Sequence, residues 1–164
     1  MAQSPSVAPA ISPAIAPGDP LKVLTLVLQG ETFAVEAGLV REILDLVPVT
    51  RVPGARAFVD GLVNVRGKVV PLADLRVAFG MAVGPATIDT RIVVVEIALD
   101  GEPTLVGLVA DTVREVAEIA AASLEPPPRV GMRWRADYVR GIAKHDGGFV
   151  VLPDLNRVLA APTA

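Results

Sequence analysis

Much of this chain is written twice, and that duplication limits what it can fold into more than any other feature. The stretch FVDGLVNVRGKVVPLADLRVAF starts at Phe58, and YVRGIAKHDGGFVVLPDLNRVL starts eighty residues later at Tyr138. Aligned without gaps, Gly61 falls on Gly141, Gly67 on Gly147, Val70 on Val150, and Asp74-Leu75 on Asp154-Leu155. Upstream, VREI at Val40 matches VREV at Val113, and GETF at Gly30 broadly matches GEPT at Gly101. Both halves run in the order turn, VRE strand, proline, hairpin, short helix. A repeat of this kind marks duplicated structural units, so two small units related by a pseudo-twofold axis are expected.

The units read as β-structure. Strands at about Lys22–Leu28 and Thr32–Glu36 flank a Gln-Gly-Glu turn. REILDLV, FVDGLVNV, KVVPLAD, RIVVVEIAL, TLVGLVAD, VREVAEIA, DYVRGIAK and GFVVLPD follow, most of them separated by Gly or Pro. Only DLRVAFG and DLNRVLA read as short helices, each opened by an Asp suited to an N-cap. The chain is 52% hydrophobic but 4% aromatic, with Val, Leu, Ala and Ile dominant, which favours strands. Strands this continuously apolar need cover on both faces. Closing each unit into a barrel supplies it, one face filling the barrel and the other meeting the sister unit. The expected organisation is an all-β domain over residues 21–160, built of two intertwined barrel subdomains of roughly 21–90 and 91–160. Residues 1–20, rich in Pro and Ala, read as a disordered tail, and 161–164 as a short C-terminal one.

Several classes of function are disfavoured. The formal net charge of −3 offers no broad positive field for a phosphate backbone, so no nucleic-acid partner is expected. No apolar run approaches the roughly 18 residues of a membrane span, so no direct membrane insertion is expected either. A cytoplasmic location is the default. Cysteine is absent, His145 is the one histidine, and Ser123 is the one serine outside the tail. That composition argues against a nucleophile–base pair and against a zinc or iron site. Glu36, Glu42, Asp60, Asp74, Asp111 and Glu115 lie in or beside strands and read as a solvated charged edge rather than an active site. No enzyme, cofactor or metal is expected.

Differences between the halves show what folding alone does not require. Gly61/Gly141 and Gly67/Gly147 recur and read as backbone devices. Glu42/Glu115 recur too, leaving structural and functional roles equally open. Arg66 does not recur: position 146 is Asp, Asn64 is matched by Lys144, and Val65 by His145. Arginine carries five planar donors and a permanent charge, well suited to anchoring a protein interface.

AVEAGLVREI, TRVPGARAFVDGLVNVRGKVVPLADLR, LVGLVADTVREV and YVRGIAKHDGGFVVLPDLNRVL resemble the CheW family of bacterial chemotaxis coupling proteins, over about Leu21 to Leu159. The most specific element is the G-x-x-N-x-R-G-x-x-x-P-x-x-D-L-R string, Gly61 to Arg76. The resemblance implies two SH3-like five-stranded β-barrels with short connecting and C-terminal helices. It also implies a non-enzymatic adaptor linking the cytoplasmic tips of chemoreceptors to the regulatory domain of a histidine kinase, associated with membrane receptor arrays through its partners. Other CheW-like proteins in the array are further expected partners. Receptor helices would dock in the groove between the barrels, and the kinase domain would pack end to end. Receptor-side residues carried over by the motif are Arg66, Asn64, Gly61 and Gly67, with Val40 and Glu42 from the V-x-E-I segment. The resemblance further implies a Glu42–Arg66 salt bridge, which Glu115 and Asp146 cannot repeat. The competing reading is a small-molecule sensor with its ligand between the barrels, which requires an apolar pocket there with convergent polar groups.

Overall fold

The computed structural model describes residues 20–128 and 135–160. The expected tails before residue 20 and after residue 160 lie outside them. Pro20, assigned to the tail from sequence, instead opens the first strand, a position where a missing N–H is tolerated. The elements are β1 (Pro20–Leu28), β2 (Glu31–Glu36), β3 (Val40–Asp45), β4 (Val59–Val65), β5 (Lys68–Ala73), α1 (Leu75–Ala78), β6 (Arg91–Leu99), β7 (Glu102–Ala110), β8 (Thr112–Ala120), β9 (Val139–His145), β10 (Gly148–Pro153) and α2 (Leu155–Leu159). They coincide with the strands and helices read from the sequence. Asp74 and Asp154 cap the two helices, accepting from the backbone N–H of Arg76 and Arg157.

Four two-residue turns join the hairpins: Gln29-Gly30, Arg66-Gly67, Asp100-Gly101 and Asp146-Gly147, all at positive φ. Two positive φ values in succession give the turn whose twist matches the flanking strands. Asp and Asn tolerate the first position better than longer side chains do. Arg66, at φ 53°, therefore stands where the backbone alone would prefer what its sister turn has, Asp146 at φ 55°.

The strands form two five-stranded sheets, ordered β8-β1-β2-β10-β9 and β3-β6-β7-β5-β4. Replacing each strand of the first sheet by its repeat counterpart reproduces the second, strand for strand. The contiguous ranges 21–90 and 91–160 are not the sheets, however. Each half donates its first hairpin to the other half's sheet, β2 pairing in parallel with β10 and β5 with β7. The boundary near residue 90 expected from the repeat is corrected accordingly.

Alternation along each strand divides the core. On β1, Leu21 and Val23 face one cluster with Ala34, Ile119, Ala143, Val150 and Leu152, the filling of the first sheet. Leu24, Leu26 and Leu28 face a shared cluster between the sheets, together with Phe33, Val93, Val95 and Leu108. β6 does the same, with Ile92 and Val94 inside the second sheet and Val93, Val95 and Ile97 in the shared cluster. Phe79 from the end of α1 sits edge-on between Phe33 and Tyr138, with ring centroids 5.4 and 6.0 Å away.

Each sheet curls until its edges meet. The chain leaving β3 turns back so that Thr50 exchanges both backbone hydrogen bonds with Leu62 of β4 (2.9 and 2.8 Å). The chain leaving β8 repeats this between Glu125 and Ile142 of β9 (2.9 and 2.8 Å). The recurring pair Gly61 and Gly141 lies at these seams. A Cβ on Gly61, at φ +152°, would stand 2.2 Å from the Thr50 carbonyl oxygen, whereas one on Gly141 would lie 3.3 Å from Leu124. Gly61→Ala is thus expected to lose about 3 kcal/mol from combined backbone strain and steric conflict. Gly141→Ala should lose about 1 kcal/mol or less. Urea titration of the two variants checks this, and equal losses would show that the seams do not differ.

Candidate interaction site at the barrel seam

Edge strand β3 carries Glu42, and the β4–β5 turn carries Arg66 opposite it across the second sheet's seam. The Arg66 Nε donates to both Glu42 carboxylate oxygens (3.1 and 3.0 Å), and Nη2 donates to Oε2 at 2.7 Å. This fork geometry fixes the guanidinium plane, which a lysine could not do. The Arg66 side chain is 79% exposed and that of Glu42 only 22%, so the carboxylate is recessed and the cation presented. The bond from Arg66 holds the Glu42 carboxyl below its ordinary range, partly opposed by desolvation. A carboxyl depressed in this way favours the fold above its unfolded pKa, and the benefit disappears as pH falls through the lower folded value. The stabilising contribution of the seam pair is therefore expected to be smallest in acid.

The other residues singled out by the motif divide by role. Asn64 accepts the Gly67 N–H at 2.8 Å, clamping the turn that displays Arg66. Gly67, at φ 84°, completes that turn. Gly61 permits seam closure. Val40 pairs with Val95 and packs, half-buried, against the shared cluster. Arg66 and Glu42 thus form the polar feature at the surface, with Asn64, Gly67 and Gly61 holding it there.

Sequence reasoning passed over Arg76, the last residue of the motif. It is 6% exposed and donates to both Asp74 oxygens (2.9 Å each) and to Asp111 at 2.6 Å. Asp111 in turn accepts the Gln29 N–H at 2.7 Å, so one arginine ties α1 to the β1–β2 turn and the β7–β8 corner. The comparison of halves that exposed Arg66 reaches this residue too, since position 156 is Asn. Asn156 instead donates to the Ala98 carbonyl at 2.5 Å. Also unnoticed were apolar side chains exposed at matching positions of both halves, Val69 (72%) with Phe149 (65%) and Ile43 (44%) with Val116 (59%). Folding gains nothing from their exposure.

At the first sheet's seam the counterparts are Glu115 on β8 and His145-Asp146 at the end of β9. The His145 Nε2 lies 3.5 Å from Glu115 Oε2. Between the sheets lies the shared apolar cluster. A cavity of about 530 Å³ lies elsewhere, on the first sheet beneath residues 123–128, bordered by Glu31, Glu125, Lys144 and Phe149.

The model of the CheW-like domain family matches residues 22–163. The chain belongs to the CheW family. It is 29% identical over 128 residues to the chemotaxis protein CheW of Rhizobium meliloti, covering 78% of this chain and 80% of that protein. It is 28% identical to the CheW of Klebsiella aerogenes, covering 84% of this chain and 81% of the other. The crystal structure of scaffolding protein TtCheW from Thermoanaerobacter tengcongensis superposes with a TM-score of 0.75 at 33% identity, over 85% of this chain and 92% of that one. The two-sheet architecture described above is thus the CheW fold. No helix among the described residues is long and apolar enough to cross a membrane.

Proposed function

We propose that this CheW-family chain is a non-enzymatic scaffold that couples the cytoplasmic tips of chemoreceptors to a chemotaxis-type histidine kinase. The observation that carries this reading is Arg66. It occupies a turn position the backbone would rather give to Asp, it is fixed in direction by Glu42, and it is presented to solvent. A strained position kept for an exposed, oriented cation fits recognition better than folding. Receptor helices are the partner assigned to this side, with Arg66 and Glu42 in contact and Asn64, Gly61, Gly67 and Val40 supporting them. The twin exposed apolar positions, Val69/Phe149 and Ile43/Val116, suit end-to-end packing with the kinase regulatory domain and with other CheW-like proteins. The assembly would then sit on the cytoplasmic face of a receptor array without inserting into the membrane.

Reversing the charge with Arg66→Glu, and with Arg66→Asp to keep the turn's preference, tests the assignment. Both should melt close to the parent, since an exposed ion pair such as this one contributes little to stability. Co-sedimentation with receptor-bearing membranes should weaken at least about tenfold, as expected for loss of an anchoring arginine. Affinity for the kinase regulatory domain should change less than about twofold. Undiminished receptor binding by a folded variant would remove Arg66 from the site.

A further inference from the structure

The pseudo-twofold relation that places Arg66 beside Glu42 places Asp146 beside Glu115, and the second arrangement lacks its cation. A carboxylate stands where the guanidinium stood, and His145 replaces Val65. The donor atoms of Glu115, His145 and Asp146 all lie within 4.8 Å of one another. The His145 Nε2 is screened from solvent yet has no hydrogen-bond partner. His145 itself is 23% exposed, and its shielded ring nitrogen, 3.5 Å from the Glu115 carboxylate and without a hydrogen bond, leaves a lone pair open to a cation drawn in by the two carboxylates. The backbone around this point is firmly set. Thr25, 2% exposed, donates to the Glu115 carbonyl at 2.8 Å and accepts the Glu115 N–H at 3.1 Å. Asp146 is held by the tight turn and His145 by the register of β9 with β10.

We propose that Glu115, His145 and Asp146 bind a first-row divalent cation of the zinc class, which fastens the first sheet's seam as Arg66 fastens the second. One imidazole and two carboxylates suit such an ion, leaving a fourth position for water or a partner's side chain. Bonds of about 2.1 Å in a tetrahedron put donors roughly 3.4 Å apart. The two carboxylates, both on exposed residues, reach that spacing by side-chain rotation, whereas the His145 nitrogen already lies 3.5 Å from Glu115. Composition alone argued against a metal because it showed one histidine and no cysteine. The fold supplies what composition lacked by bringing Glu115, thirty residues away in sequence, to the His145-Asp146 pair.

The same scarcity makes the test clean, because any imidazole-bound metal in the full chain, prepared without a histidine tag, must be at His145. Zn²⁺ titrated into it by calorimetry should bind one-to-one at micromolar concentration, shift the His145 ring-nitrogen NMR signals and raise the melting temperature. Co²⁺ should give the visible absorption of a low-coordinate site. His145→Gln should weaken binding at least about tenfold. Asp146→Arg, which gives the first seam the cation of the second, should fold normally and abolish binding. Failure of the parent to bind below about millimolar Zn²⁺ overturns the proposal, as does binding that survives either substitution. A histidine that only ion-paired with Glu115 would give the first of these failures.

Discussion

Separated at the Thr90–Arg91 junction, neither half of the chain is expected to fold. The reason is the exchange of hairpins. In the first half β3 has only β6 of the second half as its ladder partner, and β2 and β5 depend on β10 and β7. What remains within residues 20–90 is two isolated hairpins, β1–β2 and β4–β5. Two-stranded hairpins are marginal in water, and both would expose apolar faces that the other half normally covers. Each fragment alone should show no cooperative melting and little NMR dispersion. Mixing them should restore both, since all pairings lost on cleavage lie between fragments. A cooperative transition in either fragment by itself would contradict the exchanged topology.

Removing the buried arginine should be the most damaging single substitution at a polar position. Arg76→Met leaves the 2%-exposed Asp74 and the partly buried Asp111 facing each other without a cation. Stripping one partner from a buried ion pair costs about 3–5 kcal/mol, far more than the net value of the intact pair. Adding Asp74→Asn should recover part of the loss, because Asn still caps a helix and brings no charge. Acidity should recover part of it too. Asp60 is already held above its ordinary range by burial and by the Asp74 carboxylate, with Arg76 opposing. Without Arg76 it rises further. A carboxyl raised on folding weighs against the fold above its folded pKa and ceases to do so as pH falls through that value. The deficit should therefore be largest at neutral pH and narrow in acid. Denaturant titrations at neutral and acidic pH measure both effects. A loss below about 1 kcal/mol would show Arg76 to be an ordinary surface cation.

The local half of the structure was written legibly in the chain. Alternating Val, Leu and Ile, Gly-bearing turns and two Asp caps placed all the described strands and both helices, because these signals act over a few residues. The repeat announced the pseudo-symmetry, and subtracting one half from the other singled out Arg66. Applied more fully, the same subtraction reaches Arg76 against Asn156 and His145 against Val65. Which strand would pair with which was not legible, and the duplication is the reason. Two nearly equivalent edges, each able to accept either hairpin, look alike to a local pattern, so only packing of the shared core between the sheets selects the exchange. The charged sites depend on that choice. Glu42 reaches Arg66 and Glu115 reaches His145 because curled sheets bring their own edges together, over separations of 24 residues in one case and 30 in the other. Residue type and turn geometry came from the sequence alone. The neighbours that turn an arginine into a presented cation, and a lone histidine into a candidate ligand, were decided by tertiary structure, since long-range closure is what sets the distance between charges.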